Sequence, residues 1–252
     1  MNTSHKPTMR ILSILDFVSS ESGGCKLSEI SAELGIPMGT LSPIVHTLKD
    51  NKYLCYDERS QTYTIGIGLF EVGSRYMQCT NSFEDITSIL QEIVQKCGET
   101  VHFGVLDGGN VLYLAKVDTL EPVRMYAAIG KRLPAYGTGI GKALLTDYTM
   151  EELHQIYPDG LKPLTVHTIT TFDELHRQLQ TIKETGFAYE CEESNELIRC
   201  IARPIYKNQK IVAAISVSIP TFRYTKEKQD LIEQLLKEYS VYATQIVAFM
   251  NL

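Results

Sequence analysis

The chain has 252 residues, a length that suits two domains. It carries 24 Lys and Arg against 30 Asp and Glu, a formal charge of -6, and is 44% hydrophobic. That balance excludes a disordered chain or a strongly basic nucleic-acid-coating protein, and any nucleic-acid-binding face must be small. The six cysteines, Cys25, Cys55, Cys79, Cys97, Cys191 and Cys200, are scattered without a Cys-x-x-Cys pair. They argue for reduced thiols in a cytoplasm rather than a disulfide framework or a zinc finger. The apolar stretch 11–18 is short and interrupted by Asp16, so neither a signal peptide nor a membrane span is expected.

Thr8 is placed to cap a first helix whose residues Ile11, Leu12, Leu15 and Val18 recur at helical spacing, and Ser22-Gly23-Gly24 ends it. A short helix spans 27–34, with Gly35 where a left-handed stop is needed. A third helix covers about 38–50, with Leu41, Ile44, Val45 and Leu48 as its buried stripe. Proline inside a helix removes a hydrogen bond and clashes with the preceding turn. The helix is therefore expected to begin effectively at Thr40, as its cap, with Pro43 in the first turn. The period then changes to short β-type runs at 53–56 and 62–65 around the polar turn 57–61. Three helices followed by a hairpin is the winged-helix order. Residues 66–77 read as a linker helix with Leu69, Val72, Gly73 and Tyr76 on one side. Beyond it, helices are expected at 83–97, 141–146, 172–184 and 226–249, and strands at 100–106, 111–117, 124–127, 198–206 and 211–219. Asp107-Gly108-Gly109-Asn110 is a strong hairpin turn between the first two strands. The chain thus reads as α+β: a winged helix-turn-helix over 1–65, a linker helix over 66–80 and a GAF-like α/β sensor domain over 81–252.

Apolar residues of the second and third helices lock the two at a fixed angle around Gly35 and leave the other face of the third helix outward. There Thr40, Ser42 and His46 are expected to meet base edges in the major groove, with Lys49, Lys52 and Arg59 on phosphates. Taken singly, each of these cations reads as an ordinary solvated charge. Farther on, Tyr136-Gly137-Thr138-Gly139-Ile140-Gly141-Lys142 is a glycine-rich turn opening a helix. It is either an anion-binding start or a plain helix cap, and its spacing is not that of a P-loop. Ser216 and Ser218 are two apart on a strand and point to one face. If buried they need partners, supplied by a polar ligand, by backbone or by water. Cys200, with a base among His102, His154, His167 and His176, offers an alternative. In it the chain is a cysteine-dependent enzyme or sensor whose N-terminal helices only dimerise; a buried inert cysteine is the competing reading. No metal or cofactor motif stands out.

Together these segments resemble the IclR-type bacterial transcriptional regulators over nearly the whole chain. The likeness rests on Leu27-Ser28-Glu29-Ile30-Ser31-Ala32-Glu33-Leu34-Gly35-Ile36-Pro37 and the helix after it. In the second half it rests on Gly98-Glu99-Thr100, Gly130-Lys131-Arg132-Leu133-Pro134, Gly141-Lys142-Ala143-Leu144-Leu145, Arg199-Cys200-Ile201-Ala202-Arg203-Pro204-Ile205 and Ala214-Ile215-Ser216-Val217-Ser218-Ile219-Pro220. Met38 and Pro43 depart from the family's usual basic recognition helix, Glu190 replaces a more usual aspartate, and Asn195-Glu196 stands where glycine is common. The resemblance implies a cytoplasmic homodimer or dimer of dimers on palindromic double-stranded operator DNA, acting as a repressor of catabolic genes and not as an enzyme. It also implies a small organic or sugar acid effector, contacted by Met125, Leu133, Gly139, Ile140, Glu190, Cys200, Ser216 and Ser218. On this reading the Gly139 and Ile140 amides hold the carboxylate. Glu190 is then either raised in pKa by burial and bound as a neutral donor, or ionised at the far end and accepting from ligand hydroxyls; the second costs less desolvation and favours a hydroxy or sugar acid.

Overall fold

The computed structural model describes residues 4–78, 82–122 and 128–250, arranged in two compact units, Met1–Cys79 and Thr80–Leu252. In the first, α1 (Lys6–Ser20), α2 (Leu27–Leu34) and α3 (Met38–Asp50) precede a hairpin of β1 (Leu54–Asp57) and β2 (Thr62–Ile65), and α4 (Ile67–Gln78) follows. Ile14, Val18, Ile30, Ile36, Leu41, Val45, Leu54 and Tyr63 form its core, so each helix buries one stripe against the others and the hairpin. Gly35 ends α2 in the left-handed region (φ 60°), as the sequence requires. The turn is fixed by the Ser31 hydroxyl, which donates to Ile36 O at 2.7 Å.

Two expected helix starts move. Thr8 does not cap α1; the helix begins at Lys6, and Thr8 Oγ1 lies 2.9 Å from His5 Nδ1. Thr40 does not cap α3 either. The Pro37 carbonyl accepts from Thr40 N at 2.8 Å and from Leu41 N at 3.0 Å, so the backbone of Pro37 starts the helix and Pro43 lies inside it. The bond Pro43 cannot make would go to the carbonyl of Gly39, an exposed residue that water can serve. The wing also gains a short third partner, because Cys25 exchanges backbone bonds of 3.0 and 2.7 Å with Tyr63. Where β2 leads into α4, a Cβ on Gly66 would stand 2.2 Å from Lys52 O, so only glycine fits.

The second unit is a six-stranded sheet in the order β5-β4-β3-β8-β7-β6, all neighbours antiparallel. Its strands are β3 (Thr100–Asp107), β4 (Asn110–Val117), β5 (Arg132–Pro134), β6 (Ala188–Cys191), β7 (Ile198–Lys207) and β8 (Lys210–Pro220). Side chains alternate across the sheet. Val101, Phe103, Ile201, Ile215, Val217 and Ile219 pack with α5 (Ser82–Cys97) and α9 (Lys226–Val247). The opposite face, with Tyr113, Ala188, Ala202 and Ala214, meets α6 (Gly139–Leu144), α7 (Met150–Ile156) and α8 (Phe172–Thr185). Glu99, fully buried, ties the start of β3 to the start of α9. Arg223 forks it at 2.9 and 2.7 Å and Lys228 donates at 2.8 Å.

The sequence reading lacks β5, β6 and α7. β5 is too short to show a period, and β6 turns a glutamate inward, which hides its alternation. α7 was marked by its capping box, Thr149 with Glu152, whose carboxylate accepts from Thr149 N at 2.8 Å. The strand expected at 124–127 lies outside the described residues. Among those described, no helix is long and apolar enough to cross a membrane.

Candidate functional site

At about 100° per residue, the outward crest of α3 carries Gly39, Pro43, His46 and Asp50, all exposed. Ser42 flanks this crest one turn before His46, so those two form a continuous side. Thr40, half-buried, lies on the opposite flank beside Thr47. The single face expected for Thr40, Ser42 and His46 is therefore two flanks of a broader one, because residues 40 and 42 are about 200° apart. Lys49 sits 3.8 Å from Asp50, while Lys52 and Arg59 are exposed. Arg59 caps the wing turn by donating its backbone N–H to Asp57 Oδ1 at 2.8 Å. That bond, with those from Ser60, holds the Asp57 carboxyl below its usual range.

In the second unit, ladder pairing places Glu190, Cys200, Ser218 and Thr100 in one row across β6, β7, β8 and β3. Two residues along, Ala202, Ser216, His102 and Lys116 form the neighbouring row. Ser216 and Ser218 thus share a face, and both are buried. Leu133 packs on Ile198 and Cys200. A Cβ on Gly139 would stand 3.0 Å from Cys200 Cβ and 3.4 Å from Glu190 Cβ, and Ile140 reaches over Gly104 of β3. Leu133, Gly139, Ile140, Glu190, Cys200, Ser216 and Ser218 therefore converge on one sheet face. Met125 lies outside the described residues.

That face is polar inside an otherwise apolar core. Cys200 Sγ is 3.3 Å from Ser218 Oγ, which is 3.5 Å from His102 Nδ1. The His102 ring meets Tyr113 edge-on at 5.3 Å. Glu190 Oε1 accepts from the amides of Glu193 and Ser194, but Glu190 Oε2 and His102 Nε2 are buried without a partner among the described residues. Burial lifts the Glu190 carboxyl to about 7 against the pull of its amide bonds. Burial, then Lys116, lowers the His102 imidazole to about 4. Burial, then Glu190, pushes the Cys200 thiol well above its usual value, so it is a poor nucleophile. Of the four histidines considered as its base, only His102 belongs to this face. His154 stacks on Phe172, His167 is exposed, and His176 is half-buried on α8. The arrangement suits holding a small polar ligand rather than attacking one.

Two features escaped the sequence. Tyr113 joins the polar face through pairing with strands distant in the chain, and His102, expected only as one of four possible bases for Cys200, is placed beside Ser218 by the same pairing. Lys142, two residues into the glycine-rich helix from Ile140, is not a ligand for anions. It is fully buried and donates to Glu193 and, at 2.9 Å, to Gln178 Oε1. Thr138 caps α6 by accepting from Gly141 N at 3.0 Å. A cleft of about 310 Å³ between α8 and β6 has Glu190 and Glu193 in its wall.

Comparison with known proteins agrees with both units. A family description for the IclR helix-turn-helix domain matches residues 7–58, and one for the bacterial transcriptional regulator IclR C-terminal matches residues 74–245. The chain is 33% identical over 205 residues to the HTH-type transcriptional regulator KdgR of Escherichia coli, covering 80% of this chain and 78% of that protein. It is 30% identical over 221 residues to the HTH-type transcriptional repressor AllR of Escherichia coli, covering 87% of this chain and 82% of that one. The crystal structure of an IclR transcriptional regulator from Alicyclobacillus acidocaldarius has the same fold, with a TM-score of 0.84 at 23% identity over 94% of this chain and 98% of that one.

Proposed function

The chain belongs to the IclR family of bacterial transcriptional regulators, a DNA-binding regulator and not an enzyme, and from that premise we propose that it is a repressor of catabolic genes released from its operator by a small organic acid. The observation that carries the effector half is the convergence of the Gly139 turn, Glu190, Cys200, Ser216 and Ser218 on one buried face, with polar atoms left for a ligand. Repression follows the relative that is named a repressor. The division of labour is a winged helix-turn-helix over 1–65, a linker helix over 66–80 and an effector domain over 81–252.

Of the two forms expected for Glu190, burial supports the protonated donor as well as the ionised acceptor. Glu190 and Gly139 are in contact distance, and the carboxyl is half protonated near neutrality. The test is fluorescence anisotropy on DNA flanking the protein's own gene, with and without glycerate and gluconate. The reading requires tight binding that the acid relieves; DNA held equally well in the presence of an acid that binds the protein refutes it.

On DNA, Lys49, Lys52 and Arg59 are phosphate contacts. Each Ala substitution should weaken every sequence alike and reduce the salt slope by about one. Ser42→Ala and His46→Ala should instead change base preference at one position of each half-site, by about 1–3 kcal/mol. Competition binding with single-base operator variants separates the two patterns, and uniform weakening by Ser42→Ala and His46→Ala would remove them from the groove.

One recognition helix reads few base pairs, so a dimer is needed. Ile67 and Phe70 on one side of α4 are 67 and 70% exposed in the single chain, and Val72 and Tyr76 on another side are 55 and 51% exposed, apolar surface that a second copy would bury. Phe70→Asp is expected to shift the protein toward monomer in sedimentation and to cut operator affinity. An unchanged dimer would place the interface elsewhere.

A further inference from the structure

Because Gly139 stands against Cβ of Glu190 and of Cys200, a carboxylate on the Gly139 and Ile140 amides would lie at the Glu190 end of the site. The end of the polar face remote from Glu190 is on β3 and β4, where His102 pairs across the ladder with Lys116. We propose that His102 is a ligand-contact residue of this site, donating from Nε2 to the carboxylate of the acid effector, whose hydroxyl or carbonyl end is turned toward Glu190 and the Gly139 turn. This rests on the effector reading above and reverses the orientation expected from the sequence.

The ring supplies the donor. His102 is 1% exposed, and its Nε2 has no partner among the described residues. Burial keeps it neutral, so one nitrogen accepts and the other donates. The Ser218 hydroxyl lies 3.5 Å from Nδ1, and the proposed contact requires it to donate there, which leaves the ring proton on Nε2. A buried N–H of this kind is unfavourable until it finds an acceptor. The surroundings select an anion. The neighbour of the ring across the ladder is the basic Lys116, paired with Asp118 at 2.9 Å, and no carboxylate of Glu190 or Glu193 belongs to that row. At the other end Glu190 and Glu193 disfavour a carboxylate, and Lys142 there is already held by Glu193 and Gln178. Tyr113, edge-on to His102 and close enough to feel both Cys200 and Glu190, shows that the two ends are bridged within one small site. A short acid carrying a second oxygen function fits this polarity.

Calorimetry on the full-length protein near pH 7.5, with D-glycerate and its neutral carboxamide as probes, tests the assignment. Wild type should prefer the acid. His102→Leu should lose about tenfold or more in affinity for glycerate, together with the preference for acid over amide. His102→Gln, whose amide nitrogen can take the place of Nε2, should stay within about threefold of wild type. Glu190→Gln should keep the preference for acid. His102→Leu binding glycerate like wild type, or keeping the acid preference, overturns the proposal while leaving the effector site standing. Should His102→Leu fail to fold, the Nε2 resonance of 15N-histidine-labelled wild type must move on adding glycerate; a binding isotherm without that shift also overturns it. If neither glycerate nor gluconate binds wild type, the effector reading itself falls, and this inference with it.

Discussion

Lys142→Met is expected to destabilise the C-terminal unit by about 3–5 kcal/mol, the range for removing one member of a buried ion pair. Lys142 is fully buried on α6 and its ammonium donates to Glu193 and Gln178. Without it Glu193, itself 6% exposed and with Oε2 already lacking a partner among the described residues, becomes an uncompensated buried charge. The double variant Lys142→Met with Glu193→Gln should recover much of the loss, because the stranded charge is gone. Urea denaturation of the three proteins measures this. A single-variant loss below about 1 kcal/mol would mean that the pair is solvated in solution and does not anchor the glycine-rich helix.

The second large effect is on pH dependence. Burial raises Glu190 from 4.5 to about 7, so the native state keeps a proton that the unfolded chain releases. Its contribution is fully present below pH 4.5 and is lost as pH rises through 7, about 3 kcal/mol in all. His102 runs the other way. Its value falls from 6.5 to about 4, so the unfolded chain takes up a proton that the native ring refuses. That contribution is present above pH 6.5 and is lost as pH falls through 4, again about 3 kcal/mol. The windows overlap and the signs oppose, so these two groups nearly cancel in the wild type between pH 4.5 and 6.5. Glu190→Gln should therefore unmask a loss of stability on acidification, and His102→Leu a loss as pH rises toward 7. Denaturation midpoints at half-unit steps, each compared with wild type, read the two slopes. Slopes of the same sign in both variants would contradict the opposed titrations.

Much of this protein was determined by its sequence alone. Helical spacing through Val18, Leu41 and Val45, the left-handed stop at Gly35 and the β-type runs around residues 57–61 specify three helices and a wing, because each signal is local. The buried face of α1 nevertheless centres on Ile14 and Val18, and the expected Ile11 and Leu12 are exposed. Alternation along 211–219 likewise put Ser216 and Ser218 on one face before any neighbour was known. What tertiary structure decided is whatever depends on partners distant in the chain. Thr40 yielded the start of α3 to Pro37, because the helical backbone begins three residues earlier and the Pro37 carbonyl accepts from Thr40 N itself. β6 could not be read because its inward Glu190 is tolerated only beside the amides of Glu193 and Ser194. The positions of Glu190 against Gly139, of His102 beside Ser218 and of Lys142 on Glu193 are set by ladder register and helix docking. Residue types showed that this face would be polar; only its packing showed which polar groups are satisfied by the protein and which are left for a ligand.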